Sequence, residues 1–379
     1  MLLDTKNAAL LGALCAAGTA LAADVDAGFN VRTTADVAVS HARHSWEWGT
    51  TAQALLELDN PELSVFGDDP FPGGRLPRVN PGVRALAYVK PHIRRDGPTL
   101  TEDGAVGDPA SMGVSALLLG SSDGVYYGAA DRQADYILHK APRYANGAIS
   151  HRADIKELWA DNMAMSFPFL AYYAVYKNDT DAMREVVRQC GLYRDVLKID
   201  RFLNWRHIIG PQSQDEGLWS TGNGWAAYGM LRVLHTLQKW PRSRSALGTE
   251  QGRLKAWIKE ILDGAMLSGR EDLGLLRNYL NDVGWWGEIS GTALLSAAAY
   301  RMAVNDPGMF PKKYVDWADE NRRALGKQQG GDGVLVPAVN PLAWKDRNKF
   351  YGGSPEGQAF VVNLYTAYRD CVNEGVCRK

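Results

Sequence analysis

The chain has 379 residues, of which 46% are hydrophobic and 12 are tryptophan, with a formal net charge of −1. Such a chain buries a large core, and its balanced charge excludes an electrostatic binder of nucleic acid or of a membrane surface. Its length fits two domains or one large repeat or barrel unit.

In chain order, the first segment is "MLLDTKNAALLGALCAAGTALAADVDAG": Lys6, an apolar run from Ala8 to Ala16, then the small triplet Ala20-Leu21-Ala22. This reads as a secretory signal peptide over residues 1–22, although Asp4 interrupts the basic n-region; a buried N-terminal helix is the alternative. The run is too short to span a membrane. Three cysteines follow it, and Cys371 and Cys377 in "RDCVNEGVC" are close enough to staple the C-terminal tail in an oxidising compartment. Cys190 fits a small core residue, and Asn178-Asp179-Thr180 is a glycosylation sequon between two apolar segments.

From residue 108 onward the periodicity is helical, with no convincing alternating strand. Segments with apolar or small residues on every side occur at 110–120, 163–176, 224–234, 290–304 and 357–368. Between them lie segments with a single apolar stripe, such as Met183, Val186, Val187 and Cys190, or Leu254, Trp257, Ile258, Ile261 and Leu262. The first kind must be buried all round and the second has one face in water. Their alternation predicts stacked αα-hairpins with an inner and an outer layer. "VRTTADVAVSHA" and "SWEWGTTAQALLEL" supply one more hairpin. Six hairpins closed in a ring give an all-α fold, an (α/α)6 barrel over residues 23–379 as one domain; an open helical solenoid is the competing architecture.

In such a ring the inner helices run the same way, so their N-termini meet at one mouth. "HSWEWGT", "GDPASMG", "ELWADN", "WSTGNGW", "WWGEISG" and "SPEGQAF" stand just ahead of inner helices, which gathers carboxylates, glycines and tryptophans there. A ligand cleft with aromatic walls is expected. Asp161, beside Trp159 and near Met165, could complement a helix dipole, but apolar surroundings should raise its pKa toward that of a general acid. Asp108 is the obvious partner, although Asp-Pro is also a strong helix start with Asp108 as N-cap. Glu47, Glu288 and Glu356 hold analogous rim positions. His207 and His151 sit in predicted loops where a neutral imidazole could meet a sugar hydroxyl or carboxylate, or only solvent. Trp46, Trp48, Trp159, Trp219, Trp225, Trp285 and Trp286 could be core or could face sugar rings. There is no metal, phosphate-loop or serine-hydrolase signature, so no cofactor is expected.

Taken as an ordered set, "NGAISHR", "ELWADNMAMSFPFLAYYA", "TGNGWAAYGMLRVL" and "SGTALLSAAAYRM" resemble the motif ladder of the unsaturated glucuronyl and rhamnogalacturonyl hydrolases, glycoside hydrolase families 88 and 105. The resemblance runs from about residue 100 to 304 and is closest to secreted fungal members. It implies a six-hairpin toroid and an extracellular enzyme, a monomer without membrane or nucleic-acid partners. Such an enzyme removes a 4,5-unsaturated uronic acid from the non-reducing end of lyase-generated oligosaccharides. It implies that Asp161 is the general acid and base, assisted by Asp108. His207 resembles the family's loop histidine, and Trp219 through Trp225 its W-x-R-G-N-G-W element. Thr221 stands where most members carry Arg, leaving Arg152, Arg206 or Arg277 as candidates to hold the uronate. The remaining candidates for substrate contact are Trp159, Trp219, Trp225, His151, Trp46 and Trp286. A catalytically weak sugar-binding protein, and a hydrolase or lyase acting on saturated uronate-containing glycans, are the rival readings.

Overall fold

The computed structural model describes residues 25–378; the segment read as a signal peptide lies outside the described residues. The α-helices are α1 (Val31–His41), α2 (Ser45–Asp59), α3 (Arg84–Val89), α4 (Gly107–Ala110), α5 (Gly113–Gly120), α6 (Val125–Asp135), α7 (Asn162–Met165), α8 (Phe167–Lys177) and α9 (Thr180–Leu197). They continue as α10 (Ser220–Lys239), α11 (Pro241–Ala246), α12 (Gly248–Leu267), α13 (Ile289–Asn305), α14 (Lys312–Gly326) and α15 (Pro355–Asn373).

The inner layer consists of α2, α4–α5, α7–α8, α10, α13 and α15. Each packs on the next, and α15 packs back on α2, so the ring closes. The outer layer is α1, α3, α6, α9, α12 and α14. All-round apolarity reports the layer directly: every residue of α13 from Ile289 to Ala303 and of α10 from Ser220 to Leu237 is buried. In α9 burial is confined to one stripe that includes Met183, Val186, Val187 and Cys190. Small residues let the inner helices approach closely. A Cβ on Gly229 of α10 would fall 2.1 Å from the carbonyl oxygen of Met163 in α7.

Two inner segments expected as continuous helices are broken. Proline has no N–H and its ring clashes with the preceding turn, and Pro168 accordingly sits in the first turn of α8, just past the break that separates it from α7. Asp108 does not cap a helix; it lies inside the one-turn α4, and no side chain caps that turn. A strand pair too short to alternate escapes sequence reading: β1 (Leu158–Trp159) runs antiparallel to β2 (Ile208–Ile209), with Trp159 opposite Ile208. This pairing, extended by the Ala160 N–H donating to the His207 carbonyl at 2.9 Å, brings Asp161 alongside His207.

At the rim away from the inner N-termini lies a buried ionic network. Glu57 of α2 accepts from the Tyr228 hydroxyl at 2.8 Å and from the Thr366 hydroxyl at 2.9 Å. Arg301 of α13 pairs with Glu57 at 3.3 Å and with Asp370 of α15, its guanidinium 4.0 Å from the Phe66 ring centroid. Four inner helices, α2, α10, α13 and α15, are thereby tied together. Cys371 and Cys377 form a disulfide after α15, Cys190 is a buried free thiol, and Asn178 is exposed in a left-handed turn between α8 and α9.

Candidate active site

The inner N-termini converge on a cleft of about 220 Å³. Its aromatic walls are Trp46, Trp159, Trp219 and Trp344, and Pro341 and Leu342 continue the wall beside Trp344. Its polar lining consists of Asp103, Asp108, His151, Arg152, Asp161, His207 and Glu356. Deeper along the barrel axis a second cavity of about 20 Å³ meets the same Met165 and is lined by Trp225.

Asp161 sits at the N-terminal boundary of α7 without capping it, so its carboxylate is free to face the cleft. Its Oδ2 is 3.3 Å from Nε2 of His207. The other ring nitrogen of His207, Nδ1, is 3.1 Å from Oδ2 of Asp215. Asp215 also accepts from the Trp344 indole at 2.9 Å, from the Tyr279 hydroxyl and from the Gly217 N–H at 3.1 Å. Burial alone would raise the pKa of Asp215, but His207, Tyr279 and Gly217 hold it down at about 2. Burial opposes charge on His207 too, yet Asp161 and Asp215 on either side raise its pKa above the usual histidine value.

The opposite wall has the reverse character. Asp108 is 3.5 Å from Nε2 of His151, whose ring stacks on Trp159 at 4.9 Å between centroids. Burial, with Asp103 and Asp161 nearby, pushes Asp108 well above the ordinary carboxylate range, and burial lowers His151 to about 4. Burial thus disfavours charge on both members of this pair, the acid and the imidazole. Glu356, 1% exposed, accepts from the Trp46 indole at 3.0 Å, and burial with Glu47 and Asp161 also drives it well above the carboxylate range. Asp103 is raised by burial as well. Among the described residues Arg152 is the only Lys or Arg lining the cleft, its Nε 3.7 Å from Asp154 at the surface.

The arrangement thus combines Asp161 beside an imidazole that two acidic neighbours favour in its charged form, a second acid across from it whose burial disfavours charge, an arginine, and indole rings for walls. The same order of motifs is found in a known family: the profile of Glycosyl Hydrolase Family 88 matches residues 84–356. The chain belongs to glycosyl hydrolase family 88.

Within that family's neighbourhood, the chain is 26% identical over 217 residues to the unsaturated rhamnogalacturonyl hydrolase YesR of Bacillus subtilis (strain 168). The matched stretch covers 54% of this chain and 59% of YesR, so the chain spans about three fifths of the length of that curated relative. The fold is similar to that of a possible family 105 member from Salmonella enterica serovar Paratyphi A, with TM-score 0.69, 15% identity and coverage of 90% of this chain and 92% of the other. It is also similar to an unsaturated glucuronyl hydrolase specific for heparin, with TM-score 0.62, 11% identity and coverage of 93% and 98%. These likenesses establish the six-hairpin fold, closed as expected.

Of the residues that the family 88 reading selects, Asp161, Asp108, Trp159, His207, Trp219, His151 and Trp46 all line the cleft. Three do not. Thr221 is wholly buried, its hydroxyl 3.4 Å from Glu288 between α10 and α13. Trp225 faces the deeper axial cavity, and Trp286 donates to the Arg347 carbonyl at 2.9 Å on the surface beside the cleft. Glu47 and Glu288 are occupied by backbone: Glu47 accepts from the Arg43 and His44 N–H groups, and Glu288 caps α13 through Ser290 and Gly291. Of the three candidate arginines only Arg152 reaches the cleft; Arg206 pairs with Glu216 at 3.3 Å.

Asp215, Trp344 and Asp103 were invisible to motif reading. Asp215 sits in the polar turn "PQSQDEG", where an aspartate is an ordinary turn residue, and Trp344 lies 129 positions further along, on a loop between α14 and α15. Among the described residues no group of His, Cys, Asp and Glu is arranged to hold a metal ion, and no helix is long and apolar enough to cross a membrane.

Proposed function

We propose that the protein removes a 4,5-unsaturated uronic acid from the non-reducing end of lyase-generated oligosaccharides by hydrating its vinyl ether. The observation that carries this reading is Asp161 held 3.3 Å from His207 on an indole-walled cleft of a family 88 barrel. Asp161 gives its proton to C4 as the C4–C5 π electrons form the new C–H bond. The positive charge that develops at C5 and the ring oxygen is met by the Asp161 carboxylate that the proton leaves behind, which favours the transition state. Water adds at C5 and returns a proton to Asp161; the hemiketal then opens and releases the aglycone. One positioned acid suffices, whereas an ordinary glycosidic bond calls for a pair of carboxylates flanking it. Burial of Asp108 opposes a negative charge beside the substrate carboxylate.

A screen of oligosaccharides made by lyases from pectin, rhamnogalacturonan and glucuronan-type polymers tests the proposal. Ultraviolet absorbance of the conjugated uronate should fade with at least one of them; turnover of saturated glycosides alone would refute it.

Arg152 takes the place of the family arginine as the partner of the uronate carboxylate. A hydrogen bond to a charged group contributes on the order of 1.5–3 kcal/mol, so Arg152→Gln should raise KM about 10–100-fold while changing kcat much less. An unchanged KM would remove Arg152 from this role.

Affinity should also depend on pH in a definite direction. Below their raised pKa values Asp108 and Glu356 are neutral; as pH rises through those values each gains a negative charge facing an anionic substrate. KM should therefore increase on the alkaline side, and increase less in Glu356→Gln. A KM that falls with rising pH would contradict the assignment.

The reading extends to a secreted monomer. The N-terminal apolar run supports secretion, as does the Cys371–Cys377 bridge, since disulfides persist in oxidising compartments. Fractionation of the source culture and light scattering of the purified protein test the two halves.

A further inference from the structure

His207 is 1% exposed and meets carboxylates at both ring nitrogens, Asp161 at Nε2 and Asp215 at Nδ1. Asp215 itself lies behind the cleft wall, 7% exposed, and touches no part of the cavity. Its oxygens collect four donors from four separate pieces of chain: the ring of His207, the backbone of Gly217, the hydroxyl of Tyr279 and the indole of Trp344. Two of those donors, His207 and Trp344, are cleft residues, and their rings meet edge to face at 5.1 Å.

A buried carboxylate that already has so many donors needs no further explanation for its own stability. Its effect on the donors is the informative part. An acceptor at Nδ1 fixes a proton there and turns Nε2 toward Asp161. The acceptor at the Trp344 indole pins the wall that rests against His207. We propose that Asp215 is a positioning residue for the reaction at Asp161, holding His207 as the imidazolium that stabilises the Asp161 carboxylate left by proton transfer and locking Trp344 beside it. This rests on the role given above to Asp161. No proton leaves His207 in the cycle: the O–H bond of Asp161 breaks as C4–H forms, and water later returns the proton to Asp161.

The groups that act on His207 can be enumerated. Asp161 precedes α7, Asp215 comes from the turn after β2, and Tyr279 reaches it only through Asp215. His151 lies beyond Trp159, and Trp219 and Trp344 contribute uncharged rings at 4.2 and 5.1 Å. Removing the charge of Asp215 should thus lower the pKa of His207, whereas removing the Tyr279 hydroxyl leaves both carboxylates in place.

The test compares Asp215→Asn with Tyr279→Phe. The ring nitrogens of His207, labelled with ¹⁵N and identified by their loss in His207→Gln, are titrated in the substrate-free protein. Asp215→Asn should move the midpoint down by about one unit or more, and Tyr279→Phe should leave it in place. In turnover, Asp215→Asn should lose roughly 10–100-fold in kcat, by analogy with the cost of removing a carboxylate that orients a metal-ligating histidine. Its KM should hold, and its alkaline limb in kcat should shift to lower pH. An unmoved His207 titration in a folded Asp215→Asn protein overturns the proposal. So does an activity loss with the wild-type pH profile, which marks a merely structural residue. The titration needs no substrate, so failure of the wild type to consume any unsaturated uronide would refute the function proposed above and leave this readout intact. Should Asp215→Asn not fold, Asp215→Glu replaces it, with the charge retained, the His207 midpoint held and kcat reduced through displaced geometry; a lowered midpoint there overturns the proposal.

Discussion

Asp161→Asn should lower turnover of an unsaturated uronide by ~10²–10⁴-fold, the usual cost of losing a positioned general acid, and by more if the same group also activates water. The substitution keeps the shape of the side chain and removes the transferable proton. Asp161 caps no helix, and His207, 3.3 Å from its Oδ2, keeps Asp215 as a partner at 3.1 Å, so the fold has little to lose. Exchanging a mostly buried carboxylate for a neutral amide also avoids leaving a charge out of water. The melting temperature should stay near that of the wild type while activity collapses. Asp108→Asn should cost less, because burial already favours the neutral form of Asp108 and an amide reproduces a neutral acid closely.

The second large effect belongs to the other rim. Arg301→Ala should destabilise the protein by about 3–5 kcal/mol, the cost of breaking a buried ion pair by removing one partner. It removes the cationic partner of Glu57, which is fully buried, leaves Asp370 with Arg369 alone at 2.9 Å, and removes the guanidinium packed on Phe66. Denaturant unfolding reads the change. The protein that remains folded should turn over substrate at the wild-type rate, because Arg301 is near the C-terminal end of α13 and the cleft lies at the N-terminal ends of the inner helices. Stability unchanged within about 1 kcal/mol would show that this network is dispensable. Carboxylates thus stand at opposite ends of one barrel, around the cleft at one rim and tying helices together at the other.

The layer pattern was legible because burial on all sides leaves no room for polar residues in α10 and α13, whereas α9 and α12 must face water along one side. The mouth was legible for the same reason, since parallel inner helices put their N-terminal residues together whatever their identity. Partnership was not legible. Asp161 and His207 are joined by a two-residue strand pair, too short to give an alternating pattern. Asp215 acts through contacts with residues as distant as Trp344, which no local spacing reveals. The Asp108-Pro109 pair carried a helix-start signature and misled, because the chain makes only one turn there before α5 and the carboxylate faces His151 instead. Thr221 was noticed as a departure from the family's arginine, but its hydroxyl is turned to Glu288 in the core, whereas Arg152, the residue proposed to hold the uronate, lines the cleft.

The central claim is that Asp161 protonates C4. The most direct measurement is proton magnetic resonance of the products formed from an unsaturated uronide in D₂O, with wild type and Asp161→Asn side by side. The account predicts that the wild type places a single deuterium on one face of C4 as the vinyl proton signal disappears in step with aglycone release, and that Asp161→Asn does neither at an appreciable rate. Release of the aglycone with the C4–C5 double bond intact, or wild-type deuterium incorporation by Asp161→Asn, would contradict it.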